Sequence, residues 1–324
     1  MKHYFVINPH SFVSIEGIKK VIFDIKNTFP AEQRDDYEIY ISRRPRSAIA
    51  SVSNFLRKTT RDETVRIYAI GGDGILFDCL NGMIKYPNAE LTSVPYGRVN
   101  DFVRSFGNDV TASFRDIKSL SVGPSQRVDV INIGSNFALC HVIIGHLGQA
   151  INLANSFLNG KNNKWVRYVM PNVYTIAALF AMTKTKVMKQ KYEIKVDDEY
   201  FSGKFSNINI SNIALDGGSF IPIPYAKPND GVLDVLITTN SNPLKILTLI
   251  HKRNTGKFES SKHFRYKKCK SMNIKSEEPL FVCMDGEAFF IKDLEVKILH
   301  KGLNFFTPEG MNFVDYSLGK RQEI

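Results

Sequence analysis

Between residues 4 and 95 the chain alternates short apolar runs with amphipathic ones, and no other feature restricts its fold so much. Residues 4–8, 37–42, 65–70 and 91–94 read as strands. Between the first two, residues 15–29 place Ile18, Val21, Ile22 and Ile25 on one helix face. Residues 47–56, with Ser47 as N-cap, and residues 76–83 read as two more helices. Strands that alternate with helices argue a mainly parallel sheet covered on both faces.

Near residue 123 the rhythm changes. Apolar runs at 128–133, 192–196, 204–210, 232–237, 272–274, 280–283 and 294–299 are separated by turn clusters such as Asn229-Asp230-Gly231. Two helical stretches, 148–157 and 168–188, interrupt them. This half reads as an antiparallel sandwich or barrel. A chain of 324 residues has room for about two domains, and a cleft between them is the expected place for a site.

No window approaches the roughly 18 apolar residues of a membrane-spanning helix, and the opening apolar run is too short for a signal peptide. A cytoplasmic location follows as the expectation. Four cysteines stand far apart without a C-x-x-C pair, which fits buried reduced thiols. His141 and His146 form no ligand pattern and read as packing residues. The formal charge of +11 suits nucleotides, nucleic acid or anionic membrane as partners, or simple solubility. Basic residues cluster at Arg43, Arg44 and Arg46 and along 262–270. The second run matches no nucleic-acid motif. It reads as a membrane-facing patch or as a solvated strand face.

Four short blocks carry chemistry. Gly71-Gly72-Asp73-Gly74 follows an apolar strand and precedes a helix, where glycine lets a phosphate approach backbone N–H groups. It is neither a P-loop nor a dinucleotide fingerprint, and a plain strand-to-helix turn is the alternative. Asn100-Asp101 either caps the following helix or holds a metal-bound water or phosphate. Turns that follow parallel strands gather at one sheet edge, so this block and the first should be neighbours. Asp285-Gly286-Glu287 ends an apolar run and offers a general base for a hydroxyl, or else a turn with two solvated acids. Asp230-Gly231-Val232-Leu233-Asp234 reads as a turn, or as a carboxylate and carbonyls for a hard cation.

In this order the blocks resemble the bacterial diacylglycerol-kinase catalytic family, relatives of sphingosine and ceramide kinases. The resemblance runs along nearly the whole chain. It includes Asn8-Pro9-His10-Ser11, Ser42 to Ala48, the Gly-Gly-Asp-Gly turn, Asn81-Gly82, residues 95–102 and 104–107, Arg127-Val128-Asp129, Arg167-Tyr168, Asn212 with Gly217-Gly218, residues 224–227 and 230–234, and Asp285-Gly286-Glu287. It implies an α/β nucleotide-binding domain of the NAD-kinase type at residues 1–123 plus 303–324. A β-sandwich domain at 124–302 would follow, with the active site between them. The implied activity is transfer of the γ-phosphate of ATP, with Mg2+, to a lipid alcohol. Glu287 is implied as catalytic base, supported by Asp285, with Asp73, Asn100, Asp101 and Asp129 around the catalytic metal. Asn8, Ser42, Gly71, Gly72, Asp73, Gly74, Ile75, Arg98 and Asn100 map onto the nucleotide site. A structural magnesium maps onto the carbonyls of Lys227 and Val232 with the Asp230 carboxylate. Peripheral contact with anionic membrane is implied, nucleic acid is not, and a homodimer stays open.

The chain departs from the pattern where glycine is usual at Phe12, threonine at Ile75 and Arg98, and asparagine at Phe77. Lost hydroxyls weaken phosphate binding, and the Arg98 guanidinium offers compensation. These departures motivate a further reading, a non-catalytic relative that binds lipid or nucleotide, and the glycine-aspartate turn is shared with a third, a soluble-substrate kinase such as an NAD kinase. Phe157, Trp165, Val169, Ile176, Leu179, Phe180 and Met182 read as an acyl-pocket lining or as helix core.

Overall fold

The computed structural model describes residues 1–107, 109–159, 190–218, 220–239 and 243–318. The first half runs β1 (Lys2–Ile7), α1 (Ile15–Thr28), β2 (Tyr37–Ile41), α2 (Ser47–Lys58), β3 (Val65–Gly71), α3 (Asp73–Met83) and β4 (Ala89–Pro95). Three short helices follow: α4 (Asp101–Arg104), α5 (Thr111–Arg115) and α6 (Ile117–Val122). The strands pair in parallel in the order β2-β1-β3-β4. All seven residues of β3 are buried, as a strand covered on both faces requires. On one side α2 packs on α3, and α1 meets α6.

Local chemistry explains the helix ends. Ser14 Oγ accepts the Gly17 N–H and caps α1, which buries Val21 and Ile25. Helix α2 starts differently from expectation. Ser47 is its first helical residue, and its hydroxyl donates to the Arg44 carbonyl at 2.7 Å rather than capping. The cap position is Arg46, in the left-handed region at φ 65°.

The second half contains β5 (Ser125–Ile133), β6 (Asn136–Ala138), β7 (His141–Gly145), α7 (His146–Asn159), β8 (Lys191–Val196), β9 (Glu199–Ser211) and β10 (Leu233–Thr239). It continues with α8 (Pro243–Asn254), β11 (Phe264–Cys269), β12 (Ser271–Met284) and β13 (Glu287–Phe306). Apart from the far end of β13, these strands pair antiparallel. The ring β7-β9-β8-β12 closes on itself through its ladders. Ile144, Ile194, Ile208 and Val282 belong to the apolar core of this half. The architecture is an α/β domain followed by a β-sandwich.

Two elements tie the halves. Strand β13 pairs with β12 at its start and with β5 further on, and it ends parallel to β4, with Phe305 opposite Leu91. Helix α3 buries Phe77 in the core of the second half, while its other apolar residues pack in the first. Asn81 of α3 then mimics a strand partner, accepting the Phe137 N–H at 2.9 Å and donating to the Phe137 carbonyl at 2.9 Å. Beyond β13 the tail lies against α4: the Val314 N–H donates to Ser105 O at 2.8 Å and Phe313 stacks on Phe106. All four cysteines are free and buried. Among the described residues no helix is long and apolar enough to cross a membrane.

Candidate active site

The turns after β3 and β4 interlock. The Gly71 carbonyl accepts the N–H groups of Tyr96 at 2.7 Å and Gly97 at 2.9 Å. A Cβ on Gly97 would stand 2.3 Å from the Gly72 Cα, so only glycine fits this approach. Asn100 adopts a left-handed conformation at φ 54° and does not cap α4 with its side chain. Its N–H donates to Asp73 Oδ2 at 2.9 Å, and its Nδ2 donates to the Gly97 carbonyl at 2.8 Å. Asn100 Oδ1 is buried with no hydrogen-bond partner. The Asp101 carboxylate accepts the N–H groups of Gly217 at 2.8 Å and Gly218 at 2.7 Å, from the other half of the chain.

The third wall is the hairpin of β12 and β13. Its two loop residues, Asp285 and Gly286, have φ values of 46° and 89°. Two left-handed residues are what a tight hairpin of right-twisted strands needs. The turn is not one of two solvated acids. Asp285 points inward and accepts the N–H groups of Leu139, Cys140 and His141 at 2.8, 3.0 and 2.8 Å. Glu287 follows with its side chain 40% exposed.

These walls enclose a cavity of about 600 Å³. Asp73, Asp101, Asp216, Asp285 and Glu287 line its polar part together with Arg98 and His141. Ile143, Leu147, Ile151, Phe220 and Ile250 line an apolar part. Burial raises Asp73 to about 6, with the neighbouring Asp285 adding and the Asn100 N–H opposing. Asp285 is likewise raised to about 6 by burial, against the pull of its three N–H donors. Asp101 rises well above the carboxylate range through burial, then Asp73 and Asp216. For Asp216 burial works upward too, but Arg253 and His141 outweigh it and hold the group low.

Asp101, His141 and Asp216 bring one ligand atom each within 4.8 Å of one another. His141, however, uses both ring nitrogens, one with Ser211 Oγ at 3.0 Å and one on the Leu215 carbonyl at 2.5 Å. Asp216 is paired with Arg253. The trio is a hydrogen-bonded cavity wall. Oxygens suited to a hard cation lie instead on Asp73 and on the orphaned Asn100 Oδ1.

Other expected site residues lie outside the cavity lining, with Asn8 beside the glycine turn, its N–H donating to Ile70 O at 2.9 Å. Asn8 Oδ1 accepts the His10 N–H, and the Ser42 N–H donates to Ile7 O at the ends of β1 and β2. Ile75 is 3% exposed and packs into the first core, and Phe12 stacks on Tyr96. Asp129 is fully buried and does not line the cavity; it accepts Gly231 N–H and Lys301 N–H, both at 2.6 Å, and meets His300 Nδ1 at 2.9 Å. Around Asp230 the cation is a side chain. Lys268 Nζ lies 3.3 Å from Asp230 Oδ2, 3.4 Å from Asp234 Oδ1 and 3.5 Å from the Tyr225 carbonyl. This ammonium stands beside the carboxylate to which the resemblance assigns a structural magnesium, so the residues present fit a built-in cation rather than an added one. The Lys227 ammonium bonds Asp315 of the tail at 2.6 Å. The basic run falls on the edge strand β11, where Lys267 pairs with Glu199 and Lys268 with Asp230, so part of its charge is spent within the fold. The apolar stretch at 165–182 lies outside the described residues, as does the side chain of Phe157; the described apolar lining comes from β7, α7, Phe220 and α8. Asp216, Arg253, Asp78 and Arg46 were not foreseen. The available signals were Asp216 before a glycine pair, and Pro243 opening an amphipathic run that Gly256 closes.

Residues 2–133 match the family model described as the diacylglycerol kinase catalytic domain. Residues 154–306 match the model of the YegS C-terminal NAD kinase beta sandwich-like domain. The chain belongs to the bacterial diacylglycerol and lipid kinase family. A Staphylococcus carnosus (strain TM300) protein named "Putative lipid kinase" is 24% identical over 237 residues, 72% of this chain and 73% of the relative. A Staphylococcus aureus (strain MSSA476) protein bearing the same description is 24% identical over 248 residues, 74% of this chain and 76% of the relative. The crystal structure of a Bacillus anthracis (strain Sterne) diacylglycerol kinase aligns with a TM-score of 0.68 at 19% identity, covering 96% of this chain and 98% of that one. That likeness is one of fold.

Proposed function

We propose that this chain is an ATP-dependent lipid kinase that phosphorylates the hydroxyl of diacylglycerol or a related lipid alcohol, with Glu287 as general base. One observation carries the reading. Carboxylates from both halves, Asp73 and Asp101 from one and Asp285 and Glu287 from the other, line one cavity with an apolar part beside them. The polar part suits triphosphate and a hydroxyl, and the apolar part suits an acyl chain. The glycine turn that opens α3 would meet the phosphates, flanked by Asn8 and Ser42, with the Arg98 guanidinium at the cavity wall.

Glu287 is exposed enough to receive a proton. As the lipid oxygen attacks the γ-phosphorus, its proton passes to the Glu287 carboxylate. The new P–O bond forms as the bond to the β,γ-bridging oxygen breaks, and ADP leaves with that electron pair. Asp285 fixes the hairpin that carries the base. Asp101 fixes the Gly217-Gly218 loop against the first half. Asp73 and Asn100 would hold a magnesium ion, which when bound neutralises charge on the phosphoryl oxygens. Asp129 has a positioning role in this reading, since its bonds join β5, the 228–231 turn and the bend of β13. The enzyme would be cytoplasmic and meet anionic membrane peripherally.

The test is transfer of labelled γ-phosphate from ATP to a panel of lipid alcohols in mixed micelles, run beside Glu287→Gln. Phosphorylation of one lipid class that is lost in the variant is expected. Folded protein that transfers phosphate to no lipid overturns the reading.

A further inference from the structure

Arg46 occupies a backbone conformation that does little for the helix it opens. Its φ of 65° lies in the left-handed region, where a side chain is disfavoured, and it makes no side-chain cap. Its side chain is committed to three groups. The guanidinium carbon lies 4.6 Å from the Phe77 ring centroid. Nη1 is 3.9 Å from Asp78 Oδ1, and Nη2 is 3.5 Å from Glu287 Oε2. Phe77 and Asp78 belong to α3 and are buried, so they offer a fixed seat. Glu287 comes from the hairpin of the other half.

We propose that Arg46 is a positioning residue for Glu287: seated on Phe77 and Asp78, it holds one carboxylate oxygen and leaves the other toward the glycine turn. Glu287 Oε1 does face that turn, 3.7 Å from where a Cβ on Gly74 would stand. An exposed glutamate at the start of a strand has many rotamers, and a cation held at ion-pair distance favours one of them. The seat is itself electrostatically tuned. Burial raises Asp78 to about 6, Arg46 opposes and Glu287 adds. Phe77 stands where the family pattern has asparagine, and here it provides the face on which the guanidinium stacks. The inference rests on the reading of Glu287 as general base.

Arg46→Gly separates positioning from folding, because glycine accepts a left-handed conformation without strain. Its melting temperature should equal or exceed that of the unaltered chain. Its kcat for lipid phosphorylation should fall roughly 10- to 100-fold, the scale of a misplaced catalytic group, with KM for ATP little changed. Arg46→Lys should recover part of the rate. In a Glu287→Gln background, Arg46→Gly should have no further effect. Full activity of Arg46→Gly, or a loss that multiplies with that of Glu287→Gln, overturns this inference alone. If the unaltered, folded chain transfers no phosphate, the reading of Glu287 fails and this inference falls with it.

Discussion

Asp101 and Asp129 are both buried aspartates whose oxygens accept two backbone N–H groups, yet their surroundings are opposite. Near Asp101 stand Asp73, Asp285 and Asp216, and the only one of these with an ion pair described is Asp216, held by Arg253. Asp73, Asp101 and Asp285 are all raised by burial. Asp129 instead faces His300, and nearby Asp230 and Asp234 share Lys268. The second group has the Lys268 ammonium among it and does not line this cavity. The first has gathered five carboxylates around a cavity whose described lining holds two guanidinium groups, Arg98 and Arg253, an arrangement that favours a positively charged or proton-donating partner. Electrostatic strain of this kind is retained where chemistry needs it and removed elsewhere.

The comparison breaks most visibly if the two groups respond alike to substitution. Glu287→Gln, at the first group, should lower phosphate transfer by roughly 10²- to 10⁴-fold while the unfolding midpoint in denaturant stays put. Asp129→Ala should do the reverse. It strands the N–H groups of Gly231 and Lys301, each at roughly 1–3 kcal/mol, so a loss of about 3 kcal/mol is expected in chemical denaturation. A Glu287→Gln protein that unfolds easily, or an Asp129→Ala protein of unchanged stability, would erase the distinction.

How much of this was legible in the sequence follows from how local each signal is. Strand β3 and its glycine turn depend on neighbouring residues and were readable. The Asp285-Gly286 hairpin was readable too, because Asp-Gly is itself a turn signal. The left-handed Arg46 was not, since nothing in Arg-Pro-Arg-Ser announces it, and Ser47 drew the cap assignment. Strand β12 read as two strands because Glu277-Glu278-Pro279 looks like a turn. In the structure it is a register shift between Lys275 and Leu280 within one ladder. Strand β7 is five buried residues running straight into α7, without the alternation that marks a half-exposed strand. Asp216 has only the glycine pair after it as a local signal, and its partner Arg253 lies on α8, a helix the strand-dominated pattern hid.

A smaller effect sharpens the electrostatic half of the comparison. Asp73 is raised to about 6 from the ordinary 3.8, so its protonated form is the one the fold prefers. For a raised carboxyl, the stabilising contribution is complete below the unfolded value and is lost as pH climbs through the folded value. Ionisation of Asp73 therefore costs stability between about pH 4 and pH 6 and above. Asp73→Asn keeps the acceptor for the Asn100 N–H and removes that cost. It should stabilise the protein by on the order of 3 kcal/mol at pH 8 and by little at pH 4, while abolishing transfer. Equal effects at both pH values would show that the cleft carboxylates are not in electrostatic conflict.

The smallest effect tests the compensated group. Lys268 is 41% exposed on its side chain, whereas Asp234 is fully buried and also accepts from the Tyr266 hydroxyl. Burial raises Asp234, with Tyr266 and Lys268 opposing. Lys268→Met should cost about 1 kcal/mol, the scale of a partly exposed ion pair. More telling is the response to ions. With Lys268 present the ammonium already satisfies Asp230, so in an Asp73→Asn background, where the proposed active-site ion is lost, the melting temperature should ignore EDTA. Once the ammonium is gone, Asp230, Asp234 and the Tyr225 carbonyl become an oxygen set open to a hard cation, and millimolar MgCl2 should restore part of the loss. If EDTA instead lowers the melting temperature in that background, an ion and the lysine share this turn, and the second group is compensated from outside as well as from within.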